Sequence, residues 1–107
     1  SDHSFNIVIN DAFSGAKPLG PMGTAEGARI IHEHLTQKGL YLANVIAPLE
    51  GKKSQHLYQT LETFKQEFAH VYLLPEAADE PGRRANNVMI ACDMALDVSR
   101  FDNGREV

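Results

Sequence analysis

The chain has one cysteine, no tryptophan and no excess of positive charge. The single thiol, Cys92, excludes an internal disulfide framework and a zinc site built from several cysteines. Ten Lys and Arg stand against 14 Asp and Glu, a net charge of −4. The basic stripe that an electrostatic nucleic-acid binder needs is therefore missing, and no nucleic-acid partner is expected. No apolar run approaches the roughly 20 residues of a bilayer-spanning helix. Residues 1–5 carry no signal-peptide pattern. There is no internal repeat and no low-complexity segment. Gly15, Gly20 and Gly23 do not precede a helix start in the spacing of a phosphate loop or a dinucleotide turn. What is present is 107 residues with 43% apolar content. A chain of this size buries roughly 65% of its unfolded surface. The expectation is a small, soluble, acidic, cytoplasmic unit.

Residues 5–11 are mostly apolar, with β-branched residues at 7–9, and predict a strand ending in the carboxylate of Asp11. Three glycines and two prolines within residues 12–23 exclude a regular element and leave a long loop. Long ordered loops are more often functional than short ones. Thr24 is an N-cap candidate, and Ala28, Ile31 and Leu35 fall at helical spacing, so a helix is predicted over 24–35 with Gly39 as its stop. Residues 40–46 are almost continuously apolar, which predicts a strand buried on both faces. Leu57, Leu61, Phe64 and Phe68 form one stripe on a helix over 54–70. Strands follow over 70–74 and 87–92, separated by a polar loop over 75–84. Residues 93–107 read as an irregular tail, with at most a short helix over 95–98.

The order is β-α-β-α-β-β, an α/β class. It predicts three parallel strands and an antiparallel last strand, with the last two strands paired as a hairpin. The first strand leaves an open edge, so residues 1–107 read as a single partial domain, the second half of a larger Rossmann-like sheet. Self-association, or pairing with an N-terminal half, is expected along that edge.

The strand Ile9-Asn10-Asp11 is followed by Ala12-Phe13-Ser14-Gly15, then Pro18, then a helix, then Gly39-Leu40-Tyr41-Leu42. This succession resembles the spermidine synthase family, the polyamine aminopropyltransferases, whose fold is that of class I S-adenosylmethionine-dependent methyltransferases. The resemblance covers about residues 5–92 and is most specific at the Asp-Ala-Phe-Ser-Gly loop. It implies that the chain holds the fourth to seventh strands. The half with the Gly-rich cofactor loop and the acidic ribose partner would lie outside it, and this part alone would be inactive. The implied substrates are a sulfonium donor, S-adenosylmethionine or its decarboxylated form, and a small amine acceptor.

By the same resemblance, Asp11 matches the family's catalytic aspartate, the first of a pair in an Asp-Ser-Ser-Asp form. An amine cannot attack while protonated, and a nearby carboxylate can hold the ammonium and take its proton. The second aspartate falls on Ser14, which can hydrogen-bond an amine without supplying charge. Ser14, Gly15 and Asn44 are implied substrate contacts. Pro18 and Leu19 are implied to line the adenine or thioether pocket of the donor. Ile46 departs from the family's polar pattern, and no acceptor-binding tyrosine stands between Pro75 and Asn87. These departures leave two alternatives: an S-adenosylmethionine-dependent methyltransferase, and a non-catalytic interaction module using the open sheet edge.

His32 and His34 flank Glu33 in a pattern like a metal motif. Residues two apart on a helix point to different faces, so no metal site is expected there. Cys92 lies inside an apolar strand and reads as a buried, inert thiol.

Overall fold

The structure is a computed structural model and describes residues 7–10, 25–101 and 103–107. Five strands form one sheet: β1 (Ile7–Asn10), β2 (Leu40–Ala47), β3 (His70–Pro75), β4 (Ala85–Cys92) and β5 (Arg105–Glu106). Two helices, α1 (Ala25–His34) and α2 (Gln55–Glu67), connect β1 to β2 and β2 to β3. The spatial order is β1-β2-β4-β3-β5. β1 is parallel to β2, with Ile7 opposite Leu40 and Asn10 opposite Ala43. β4 runs antiparallel between β2 and β3, with Leu40 and His70 both opposite Cys92. β1, β2 and β3 therefore share one direction.

The α/β class and the antiparallel β3–β4 pairing agree with the sequence reading. Three details differ. The predicted group of three parallel strands reduces to one parallel ladder, because β4 is inserted between β2 and β3. The order gains a fifth strand: Arg105 and Glu106 pair with Leu73 and Tyr72 inside the segment read as an irregular tail. Two residues have no period to read. They are recruited by the outer edge of β3, where the Val107 N–H also donates to the Val71 carbonyl at 2.9 Å. Residues 95–98 are not helical.

β2 is not buried equally on both faces. Tyr41, Ala43, Val45 and Ala47 are buried, while Leu40, Leu42, Asn44 and Ile46 are half-buried. The buried set faces α1 and α2, together with Val71, Leu73, Met89 and Ala91. The α2 stripe of Leu57, Leu61 and Phe64 fills this core, and Phe64 stacks on Tyr41 with ring centroids 5.3 Å apart. Each such fully buried side chain contributes roughly 1.5–3 kcal/mol. α2 stops where Phe68 turns extended while its N–H still bonds the Phe64 carbonyl.

The opposite face has a smaller core of Tyr72, Ile90, Cys92 and Val98. No helix among the described residues covers it. The segment after β4 folds back instead: the Leu96 N–H donates to the Tyr72 hydroxyl at 2.7 Å, and the Cys92 thiol donates to the Met94 carbonyl at 3.2 Å.

Candidate functional site

β1 and β2 run in the same direction, and β1 ends beside the middle of β2. β1 ends at Asn10 opposite Ala43, the residue before Asn44, and Asp11 follows Asn10 in the chain. Asp11, Ser14, Gly15, Pro18 and Leu19 lie outside the described residues, as does the N-cap candidate Thr24. Of the residues singled out for substrate, Asn44 is therefore the one whose surroundings are defined.

Asn44 stands on the half-buried face of β2, opposite Val88. Its Nδ2 donates to Asn86 Oδ1 at 2.9 Å. The Asn86 N–H in turn donates to Glu76 Oε1 at 2.8 Å. This polar chain ties β2, the start of β4 and the end of β3 together at one edge. It also brings a carboxylate to that edge. Sequence reasoning placed Glu76 in a solvated loop and Asn86 just ahead of a strand. The predicted hairpin was the available signal, because pairing β4 on β2 and β3 sets residues 86–87 beside 75–76 and 44–46. The edge is fixed from the other side of β2 as well. Leu49 and Glu50 donate their N–H groups to the Pro81 carbonyl at 2.7 and 3.0 Å, joining the β2–α2 and β3–β4 loops. Gly51, in the turn that follows, has a φ of 90°, which a side chain would resist.

A second polar residue at this end was not anticipated. Asn87 is fully buried on the helix-covered face, among apolar neighbours. Its Nδ2 donates to the carbonyls of Val45, Ala47 and Ala85 at 3.1, 3.0 and 3.3 Å. Asn87 Oδ1 and His56 Nε2 are buried without a hydrogen-bond partner. Burial pushes the His56 pKa below its ordinary value, because it disfavours the charged ring.

His32 and His34 diverge. His34 Nδ1 meets the Ile30 carbonyl of its own helix, while both nitrogens of His32 reach carboxylates of other elements. Among the described residues no group of three His, Cys, Asp or Glu side chains is arranged to hold a metal ion. Cys92 is fully buried, and burial is the largest cause of the upward shift of its pKa. The burial expected of this thiol is observed, and the raised pKa favours its protonated form. Among the described residues no helix is long and apolar enough to cross a membrane.

No protein-family model matches the chain, and no curated protein does. Among solved structures, the crystal structure of a probable spermidine synthase from Corynebacterium glutamicum is similar to it. The two share 23% sequence identity and superpose with a TM-score of 0.69 over 84% of this chain. This chain spans 32% of that protein's length. At this identity the likeness shows the fold: the chain is built like part of a spermidine synthase-like sheet.

Proposed function

We propose that this chain is the C-terminal part of a spermidine synthase-like transferase that moves an aminopropyl group from a decarboxylated S-adenosylmethionine-type donor to an amine. The observation that carries the reading is the strand arrangement. β1 and β2 lie parallel, β1 ends at Asn10 beside Ala43 in the middle of β2, and the chain continues from β1 directly into Asp11, as β2 continues from Ala43 into Asn44. Ligands of open α/β sheets bind outside the carboxyl ends of the strands.

On this reading Asp11 holds the acceptor ammonium and takes its proton. The freed nitrogen attacks the carbon next to the sulfonium sulfur. The carbon–nitrogen bond forms, the carbon–sulfur bond breaks, and its electron pair stays on sulfur, which leaves as a neutral thioether. The donor's positive charge makes that departure easy without an acid. Ser14 and Asn44 hydrogen-bond the acceptor, Gly15 lets the loop approach it, and Pro18 and Leu19 line the donor pocket. Glu76, tied through Asn86 to Asn44, supports the reading by adding negative charge at the same edge.

The remainder of the donor site belongs to an N-terminal half that pairs along β1. That pairing is supported by the exposure of this short strand: Ile7, Val8 and Ile9 are 49%, 39% and 69% exposed, and β1 ends the sheet among the described residues. The site is cytoplasmic and complete in the whole protein only.

The test is the Asp11→Asn variant of the whole protein, assayed with decarboxylated S-adenosylmethionine. Turnover falls by about 10²-fold or more while the melting temperature holds. Unchanged turnover removes Asp11 from the mechanism. Melting shifts with S-adenosylmethionine, its decarboxylated form and methylthioadenosine identify the donor, because a ligand of the native state raises the midpoint. A preference for the carboxylated donor replaces this reading with a methyltransferase. No shift with any of the three leaves an interaction module.

A further inference from the structure

The amino-terminal end of the sheet, opposite the candidate site, holds a cluster that the proposed chemistry does not use. His32 projects from the last turn of α1. Its Nδ1 lies 2.7 Å from Glu67 Oε2, at the end of α2. Its Nε2 lies 2.5 Å from Asp93 Oδ2, just past β4. The ring also packs on Phe68, with centroids 4.3 Å apart. Asp93 is itself anchored, since its Oδ1 accepts the Ala69 N–H at 3.1 Å. One imidazole thus joins α1 to residues of two other segments, 35 and 61 residues away in sequence.

The arrangement requires a particular protonation state. A carboxylate oxygen only accepts hydrogen bonds, and a neutral imidazole has one N–H and one lone pair. In the neutral form, one nitrogen must turn its lone pair toward a carboxylate at hydrogen-bonding distance. Only the imidazolium donates to both. Loss of its proton also leaves two carboxylates facing each other with no positive charge between them.

We propose that His32 is a pH-sensitive clasp, closed as the imidazolium and released as the neutral ring, which pins α1 to the α2–β3 corner and the end of β4. The inference does not rest on the proposed chemistry.

The charges acting on the ring are Glu67 from α2 and Asp93 from the end of β4. His70, at the start of β3, acts on Asp93 and pairs with Glu106 of β5 at 2.9 Å. Burial lowers the His32 pKa, but the hydrogen bonds and charges of Asp93 and Glu67 outweigh it, and the net direction is upward from 6.5. A raised folded value means that the stabilisation is fully present below about pH 6.5 and is lost as pH rises through the folded pKa. Asp93 is lowered from 3.8: burial raises it, and the His32 and Ala69 hydrogen bonds with the charges of His32 and His70 overcome that. Its contribution is present above 3.8 and is lost as pH falls through the lower folded value. The clasp is therefore closed between the acid range and a pH above 6.5. His56 works with the opposite sign, because its folded pKa is lowered, and it costs stability as pH falls below 6.5. The difference between wild type and variant is the readout that isolates His32.

The test is histidine ring NMR on the whole protein, with amide exchange in α1 followed across pH. His32 is expected to titrate above 6.5 and to show both ring N–H protons while charged. Asp93→Asn and Glu67→Gln each lower its midpoint. Protection of the Gly27–Ile31 amides, corrected for intrinsic exchange, falls as pH passes the His32 midpoint, by about tenfold for each unit by which the pKa is raised. In His32→Gln that pH dependence disappears, and in His34→Gln it remains. Titration of wild-type His32 at or below 6.5 overturns the proposal, even if a variant fails to fold. So does an α1 protection profile that is the same in His32→Gln as in wild type.

Discussion

The two faces of the sheet are built in different ways. One is packed by α1 and α2 around Tyr41, Leu57, Phe64 and Met89, all fully buried. The other is covered by an irregular segment that lays Leu96 and Val98 over Tyr72, Ile90 and Cys92 and is held by two hydrogen bonds. On the first face stability comes from area and close packing, spread over many contacts. On the second it comes from a few specific ties that keep a short cover in place. The first face should therefore fail as a whole and the second piece by piece.

The largest effect tests the first half of that contrast. Phe64 is fully buried and stacks between Tyr41 and Phe68, at 5.3 and 5.9 Å. Phe64→Ala leaves a cavity that two helices and three strands cannot easily close. Its expected cost is about 3–5 kcal/mol, read as a lower denaturant midpoint with an unchanged slope. A cost below about 1 kcal/mol would mean that the helix-covered face is as loosely built as the other.

A smaller effect is expected where the cover returns to the sheet. A Cβ on Gly104 would lie 2.8 Å from Leu74 Cδ2, 2.9 Å from the Val98 carbonyl oxygen and 3.2 Å from Phe101 Cβ. The Leu74 side chain can rotate away, but the backbone carbonyl cannot. Gly104→Ala should cost about 1–3 kcal/mol. The loss should appear first as faster amide exchange over residues 94–106, with α2 still protected. Loss of protection in both regions at once would make the two faces a single cooperative unit.

The same contrast explains what could be read from the sequence. The helix-covered face was legible because α2 carries Leu57, Leu61, Phe64 and Phe68 at spacings of four, three and four, and because β-branched runs mark the strands. The second face was not legible. Leu96 and Val98 stand in a polar stretch with no period, and their burial depends on Tyr72 and Cys92 being presented by strands far away in the chain. β5 was missed for the same reason, since its two residues owe their structure to the free edge of β3. The reading of β2 as buried on both faces failed because an apolar residue is compatible with a half-covered face, which is what Leu40, Leu42 and Ile46 have. At the candidate site, Asp11 and Asn44 were singled out through a family likeness. Glu76, Asn86 and Asn87 were not, because their roles appear only once β4 is inserted between β2 and β3.

The smallest effect concerns the tie that holds the cover's middle. Tyr72→Phe removes the hydroxyl that accepts the Leu96 N–H and leaves the ring's packing intact. The cost is that of one hydrogen bond with an N–H left poorly paired, about 1 kcal/mol. Its pH dependence is more diagnostic than its size. Burial raises the Tyr72 pKa from 10.0; the Leu96 N–H opposes that shift, and the charges of Glu106 and Cys92 add to it. Cys92, on the same face, is raised from 9.0, chiefly by burial. A raised folded pKa gives stabilisation that is complete below the unfolded value and is lost as pH climbs through the folded one. The second face should therefore weaken from about pH 9 upward, the Cys92 contribution beginning to fall above 9.0 and that of Tyr72 above 10.0. In Tyr72→Phe the part of that alkaline loss that sets in above pH 10.0 should vanish, and in Cys92→Ala the part that sets in above 9.0. If melting curves of wild type and both variants run parallel from pH 8 to 11, neither group titrates against the cover, and its hold on the sheet is apolar like that of the helices.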